Sequence, residues 1–534
     1  MSRISNAQDI PVNIVGSSVF GVYPKISAEK TYNMYISDNW LIGYPGYKKV
    51  LELLSNENIT VEGRGIFRST RAALAMVVIN ANVYRIDSLL GVTLVGSINT
   101  TSGPVFMAEN LSAQICIVDG LNAYIYNRDN NALTQQSLNA SLTPNYVCYH
   151  NTYFLFGNGN VTGNGAKWYA YAYLSANVIT ESYELALQTK SDHAVAVVRL
   201  PGKGNNVLVL GNAVGEIQTN VGGLIGYQRV STLNLDYGTV NVATIAVSDK
   251  FVCWLAENES NSPVIMVFDG QSISQISTDG IDNMFSTLKH PEIVTAFIYK
   301  ISGHLFYQIT FYHRDDNVTL FFDFKTNKFF HASDFNLDYH PARQVIYFKN
   351  KSYFISLNNG CVYEIGQKYT TYDENIVDAL HEDYRDDLNR QIPRERICAS
   401  IRTKKADKFR VQRLSMTIEQ GEDDSNIELN NRYKCAETIV TESGDEIFTE
   451  TGDVMITESS QNCLIYQPSV DFSFSRDGGV TYSAEVRRDY HYIGKRKNMM
   501  HWNKMGAANE FTAKIKFWGL SRFVVYDANL EITI

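Results

Sequence analysis

Any reaction this chain catalyses must draw on histidines, carboxylates, thiols or a loop that cradles phosphate. The ten histidines are dispersed, and only His381-Glu382 opens a metal-binding pattern, the first half of an HExxH helix. That helix needs a second imidazole one turn on, on the same face. Arg385 stands there instead, and a cation repels a metal ion. Gly202-Lys203-Gly204 lacks the spacing and the Ser/Thr of a phosphate-binding loop, and no GxGxxG opens a helix. The seven cysteines (Cys116, Cys148, Cys253, Cys361, Cys398, Cys435, Cys463) contain no CxxC pair. Such an odd, scattered set predicts reduced, mostly buried thiols. Carboxylates are plentiful, so a pair suited to glycoside hydrolysis stays open, but abundance alone places no two of them across a sugar. The expectation is a non-enzyme, with no catalytic residues, no metal site and no cofactor.

One short motif has defined local chemistry. Ser475-Arg-Asp477-Gly-Gly479-Val-Thr481-Tyr482 fits the Asp-box pattern S-x-D-x-G-x-T-[W/Y] found in sialidase propellers. Its content is a hairpin turn in which the Asp caps backbone N–H groups, Gly takes a positive φ and the aromatic packs underneath. A single copy predicts a structural turn. Shortly after it, Arg487, Arg488, Lys495, Arg496, Lys497 and Lys504 interleave with Tyr490, His491, Tyr492 and Trp502. This patch reads three ways: contacts to nucleic-acid phosphates, docking on an acidic neighbour, or an ordinary solvated strand pair. Upstream lies an eight-residue repeat, IVTESGDE, IFTETGDV and MITESS, over 439–460. From 421 to 460, eleven acidic residues stand against Arg432 and Lys434, a net −9 that equals the formal charge of the whole chain. The acidity is therefore local. Glu442, Asp445, Glu450, Asp453 and Glu458 are expected on a solvent-facing acidic projection.

These features need a scaffold, and the composition points to a β-rich one. The chain of 534 residues is 45% hydrophobic and only 19% charged, with 33 Tyr and 26 Phe. Aromatic runs joined by polar turns suit pleated, half-buried strands. The longest purely apolar run, Ala72 to Ile79, is far below the ~20 residues that cross a bilayer. The opening MSRISNAQDIPVNIVG has no basic stretch followed by an apolar block, so no signal peptide is expected. From about Val61 to Gly366, strand–turn–strand units recur, as in ICIVDGLNAYIYN and VIMVFDGQSISQIS. Recurrent hairpins over such a length predict a β-propeller of about six blades, with a large double sandwich as the alternative. Thr371-Tyr-Asp-Glu374 fits a capping box, and Ile376, Leu380, Tyr384 and Leu388 follow at four-residue spacing. One helix is expected there, its acidic face solvated. Strands resume afterwards, with alternation in Val470, Phe472, Phe474 and in Ala513, Ile515, Phe517. The expected organisation is an N-terminal arm and interface segment (1–60), a propeller (61–366), a helical linker (367–392) and a C-terminal β-sandwich-like domain (393–534) carrying the acidic β insertion (421–465).

Several short motifs occur together in one order: Tyr32-Asn33-Met34, Gly43-Tyr-Pro45-Gly46 and Gly63-Arg64-Gly65 near the start, then Phe251-Val-Cys-Trp-Leu and Val264-Ile-Met-Val-Phe268-Asp-Gly270. Ile392-Pro-Arg394-Glu-Arg396, Gln412-Arg413-Leu414 through Gly421, the Ser475–Tyr482 turn and Met500-His-Trp502-Asn-Lys504-Met-Gly506 follow. The series resembles the tail-hub or nozzle proteins of short-tailed phages, also called packaged-DNA stabilisation proteins. The resemblance implies a virion tail subunit, assembled in the host bacterial cytoplasm as a homo-oligomer of six. Its implied partners are the portal–adaptor ring, tailspike or fibre proteins, a plug or needle, and non-specific double-stranded DNA in the channel. The family pattern passes almost directly from the strand ending near Gly421 to that at Ser469, whereas about 45 residues intervene here, so the resemblance gives the acidic octads no role. Two other classes stand beside this one: a glycan-binding or glycan-hydrolysing, sialidase-like propeller, which several Asp boxes and an arginine cluster would mark, and a bacterial surface or scaffold protein, which a signal peptide would mark.

Overall fold

A computed structural model of the chain describes residues 7–21, 29–54, 60–160, 165–260, 263–369, 372–373, 392–403, 408–421, 468–490, 496–519 and 522–533. It divides into two compact units. One comprises Lys49–Asn327 and Tyr339–Ile365, and the other Met1–Lys48, Lys328–Asp338 and Gly366–Ile534.

The first unit is a β-propeller. Five blades are four-stranded antiparallel sheets: blade 1 over 63–97, blade 2 over 106–135, blade 3 over 144–186, blade 4 over 196–235 and blade 5 over 246–275. Blade 6 contributes Val294–Ile301, His304–Phe311 and Val318–Asp323 to this unit. Blade 7 is Ala342–Phe348, Lys351–Ser356 and Gly360–Gly366, completed by Gly46–Leu54 from before the first blade. The blades among the described residues therefore number seven, not about six. The extra one is built partly from a strand that precedes the hairpin series and has no local hairpin partner.

The middle strands read as unbroken apolar runs because both faces are covered. In Ala75–Ile79, Ala75, Val77 and Ile79 pack against Tyr353, Ile355 and Val362 of blade 7. The intervening Met76 and Val78 pack against Ile115, Ile117 and Tyr126 of blade 2. Blade 2 does the same, turning Cys116, Val118 and Ile125 toward Phe154 and Phe156 of blade 3. The period of two survives, but it selects between neighbouring blades and not between core and solvent. The ring closes where Arg343 of blade 7 donates to Glu62 (2.5 Å) and to the Gly63 carbonyl (3.0 Å).

Turn chemistry is local. In blade 2 the Asp119 carboxylate accepts the N–H groups of Leu121 (3.0 Å) and Asn122 (2.6 Å). Asp269 in blade 5 accepts those of Gln271 (2.9 Å) and Ser272 (2.8 Å). Here the Asp-Gly dipeptides work through the side chain, which satisfies turn donors that no strand can.

The second unit holds two sheets. One has the order Met34–Ser37, Trp40–Gly43, Phe523–Thr533, Phe409–Gln420, Lys497–Ala508, with Ala7–Val12 also on Phe523–Thr533. The other runs Lys328–Ala332, Lys30–Tyr32, Arg394–Ile397, Glu510–Trp518, Ser469–Ser475, Val486–Asp489. Their apolar faces meet: Phe472 lies 5.3 Å from Trp502, and Phe517 stacks on Phe523 at 4.8 Å. This sandwich differs from the expected 393–534 domain by its N-terminal strands, which complete both sheets. The residues read as an arm are thus shared between the sandwich and blade 7, because short alternating strands do not announce a partner hundreds of residues away. Tyr372–Asp373 pairs in parallel with Tyr47 and Lys48, so a strand ladder occupies the middle of the expected capping box. The remainder of the expected helix, including Ile376, Leu380, Tyr384 and Leu388, lies outside the described residues.

Candidate functional site

The Asp-box residues form a closed turn. Asp477 accepts from the N–H groups of Val480 (3.1 Å) and Thr481 (3.0 Å), from the Thr481 hydroxyl (2.6 Å) and from the Ser475 hydroxyl (2.6 Å). Ser475 in turn accepts the Gly479 N–H at 2.8 Å, and Gly479 sits at φ +91°. The hydroxyls of Ser475 and Thr481, with the backbone donors behind them, hold the Asp477 carboxyl well below the usual carboxylate range. Burial pushes the Tyr482 phenol up to about 12. A carboxylate engaged by four donors of its own turn is poorly placed to exchange protons with a substrate.

The basic patch is dispersed over two strands. Arg487 makes a bidentate pair with Asp471 (2.8 and 2.9 Å), whose Oδ2 also accepts the Trp518 indole N–H at 2.8 Å. Lys497 sits over the Tyr526 ring at 4.1 Å, and Arg488, Arg496 and Lys504 are exposed. Lys495, His491 and Tyr492 lie outside the described residues. Along Lys497–Ala508 the burial alternates, placing Asn498, Met500 and Trp502 inside. Trp502 and Tyr490 are core residues, with the Trp502 indole donating to the Val486 carbonyl at 3.0 Å. Among the described residues, the two aromatics of this patch are thus buried away from bases that could stack on them. Glu442, Asp445, Glu450, Asp453 and Glu458 fall outside the described residues.

The motifs near the start act as clamps. Arg64 is buried and donates to the carbonyls of Gly103 (2.7 Å), Asn80 (2.9 Å) and Thr100 (2.7 Å). A Cβ on Gly63 would meet the Ser356 carbonyl at 2.2 Å, and one on Gly65 the Val105 carbonyl at 2.6 Å. Both glycines are there because the backbone of a neighbouring blade approaches too closely for a side chain. In the sandwich, Asn33 donates to the Ser333 hydroxyl (2.7 Å) and the Pro393 carbonyl (2.9 Å). Fully buried Arg396 donates to the carbonyls of Asn13 (2.7 Å), Ile14 (3.1 Å) and Ser17 (3.0 Å) and pairs with Glu29.

What remains for recognition is surface, and one feature of it escaped the sequence reading. The turns joining first to second and third to fourth strands lie at the same end of a blade. On that end blade 1 exposes Leu89 (89% accessible), blade 2 Leu111, blade 3 Leu174, and blade 4 the adjacent Leu224 and Ile225. Hydrogen bonds between these turns, such as Asn130 to Asn177 (3.1 Å) and Gln114 to the Ser175 carbonyl (2.8 Å), tie them into one rim. The corresponding turns of blades 5 and 6 carry Asp249, Lys250, Asp269 and Lys325. The clue in the sequence is Gly222-Gly223-Leu224-Ile225-Gly226, an apolar pair where turn chemistry favours polar residues.

The seven blades among the described residues define a β-propeller. The family model described as bacteriophage P22 Gp10, beta-propeller, a phage stabilisation family, matches residues 27–369. The match spans well over half the chain, and the chain belongs to this family, which makes it a structural component of a phage virion. The C-terminal motifs from Ile392 onward lie beyond the matched residues. No curated protein matches the chain. Among solved structures, the chain is similar to the Myceliophthora thermophila Cps50 (Swd1) beta-propeller domain, at 7% identity and a TM-score of 0.40, over 60% of this chain and 99% of that one. It is similar also to a streptogramin B lyase, at 10% identity and 0.38, over 60% and 97%. A third is the Neurospora crassa Pan2 WD40 domain, at 9% identity and 0.39, over 59% and 90%.

Proposed function

We propose that this chain is a non-enzymatic ring subunit of a phage tail, extending the DNA channel below the portal and adaptor. The ring, most simply of six copies, helps retain packaged DNA and guides its ejection. It also offers attachment to tailspike or fibre proteins and to a plug or needle. The observation that carries this reading is the apolar rim of blades 1 to 4 on a chain of the phage stabilisation family. Exposed aliphatic residues gathered on one sector are costly to leave in water and mark a protein–protein contact. A contact of the head-to-tail kind, repeated around an axis, closes into a ring. Charge supports the conduit role: the chain carries a formal −9, and its Arg487 is already paired with Asp471. A chain of net negative charge attracts the phosphates of passing DNA weakly.

The test is native mass spectrometry and negative-stain imaging of the full chain, alone and mixed with its cognate portal–adaptor ring. A sixfold ring is expected in at least one setting. Leu224→Asp combined with Ile225→Asp should abolish assembly while the circular dichroism spectrum stays unchanged. A chain that remains monomeric in both settings overturns the proposal, and rings indifferent to the double variant overturn the role given to the rim.

A further inference from the structure

At the edge of blade 6 the fold brings together two imidazoles and a carboxylate from separate loops. The helix Asp279–Ser286 ends shortly before His290, which leads into Val294–Ile301; His313 follows the next strand, His304–Phe311. Val294 pairs with Phe311, so both histidines sit at the open end of this hairpin, opposite the Ser302–Gly303 turn. Their ring centroids are 3.8 Å apart. One donor atom from each of His290, His313 and Asp315 lies within 4.8 Å of the others.

The loops carrying these groups are fixed. Asp316, almost fully buried, accepts the backbone N–H groups of Lys289 (2.9 Å) and His290 (2.5 Å), while its own N–H donates to the His313 carbonyl at 3.0 Å. His290 Nδ1 lies 3.3 Å from Glu292 Oε1. With that nitrogen donating to the carboxylate, Nε2 keeps its lone pair, the arrangement by which a carboxylate orients a metal-ligating imidazole. The Asp315 N–H reaches His313 Nδ1 at 3.2 Å and holds Asp315 beside the same ring. Ligation through that nitrogen costs one long hydrogen bond.

We propose that His290, His313 and Asp315 bind a divalent zinc-class cation, with Glu292 orienting His290 and water filling the open position. Two nitrogen donors and one oxygen suit zinc, whereas magnesium and calcium take oxygen ligands. Small side-chain rotations bring the donors within ligand distance of one ion. Lys289 holds Asp315 Oδ2 at 3.4 Å, but both groups are exposed, and a divalent ion displaces so weak a partner. The bound ion ties the loop before Val294 to the loop after Phe311, fastening the entry into blade 6.

The full-length chain, stripped with EDTA, is titrated with zinc chloride by calorimetry and against a chromophoric zinc indicator. One zinc ion per chain is expected. His290→Gln and His313→Gln should each weaken binding by more than about tenfold, and Glu292→Gln by about tenfold. His501→Gln, at an exposed histidine of the sandwich, should leave it unchanged. Zinc should raise the thermal midpoint of the parent and of His501→Gln, but not of the two ligand variants, whose metal-free midpoints match the parent. Should one of those variants fold poorly, cobalt substitution of the parent gives an independent reading through d–d bands of mixed nitrogen and oxygen ligation. Failure of zinc to bind, binding unaltered in both histidine variants, a cobalt spectrum without nitrogen ligation, or displacement of zinc by excess magnesium or calcium each overturns the proposal.

Discussion

His331 in the sandwich and His340 in the propeller make acid stability a sharp test of the packing described above. Both imidazoles are buried. His331 is held by the Ser18 hydroxyl at 2.7 Å and flanked by Tyr32 at 4.5 Å; His340 lies against Phe354 at 5.8 Å. Burial lowers each to about 3, aided at His331 by the Lys30 cation, against about 6.5 in an unfolded chain. Between these values the unfolded chain binds a proton that the fold refuses. The stabilisation is therefore complete above pH ~6.5 and is lost as pH falls toward ~3, by roughly 1.4 kcal/mol per pH unit for each histidine. Acidifying from pH ~6.5 to ~5 should cost about 2 kcal/mol per histidine. Urea unfolding followed by tryptophan fluorescence across that range measures the loss. Buried Trp168 and Trp254 report on the propeller, and buried Trp502 on the sandwich. His340→Gln should flatten the propeller's pH slope by roughly 1.4 kcal/mol per unit, and His331→Gln the sandwich's by the same amount. Because the slope is compared and not the absolute stability, any packing cost of the substitution drops out. Slopes identical to the parent's in both variants would refute the neutral, buried state of these residues.

The same packing yields two further expectations. Arg396→Met removes the donors that hold Asn13, Ile14 and Ser17 and leaves Glu29 without its cation; the sandwich should lose about 3–5 kcal/mol in urea unfolding, and a loss under ~1 kcal/mol contradicts the clamp. Replacing 422–464 with a short Gly-Ser linker should leave the thermal midpoint nearly unchanged. Gly421 lies against Arg522 and Pro468 against Gly519, so the two flanks abut positions only three residues apart in the chain, at most roughly 10–11 Å of extended backbone. A deletion that prevents folding shows that the acidic segment belongs to the core.

Local chemistry was legible in the sequence, and distant pairing was not. Asp119, Asp269 and Asp477 each satisfy turn donors within four residues, so a short window contains the whole interaction. The hairpin series followed from those turns, and with it the propeller. The closing strand Gly46–Leu54 and the N-terminal strands of the sandwich pair with segments far along the chain, and nothing in their own residues selects the partner. The same limit hid the His290–His313 pair, which only the register of Val294 on Phe311 brings together. That Trp502 and Tyr490 are buried beside exposed cations was hidden for a related reason. In a strand, neighbours in sequence point to opposite faces, so along Lys497–Ala508 Lys497 faces solvent while Asn498, Met500 and Trp502 turn into the core.

The conspicuous motifs and the useful surfaces turn out to be different residues. Gly63-Arg64-Gly65, Asn33 and Arg396 stand out because backbone crowding and buried carbonyls admit few alternatives. They identify the fold, and a fold alone fixes no function. Recognition has to reside where side chains meet solvent, and there a sequence is under the weakest local constraint. Leu89, Leu111, Leu174, Leu224 and Ile225 are large apolar side chains left mostly exposed. Their grouping on four consecutive blades is the surface on which the proposed ring contact rests, since a partner over that sector would take them out of water.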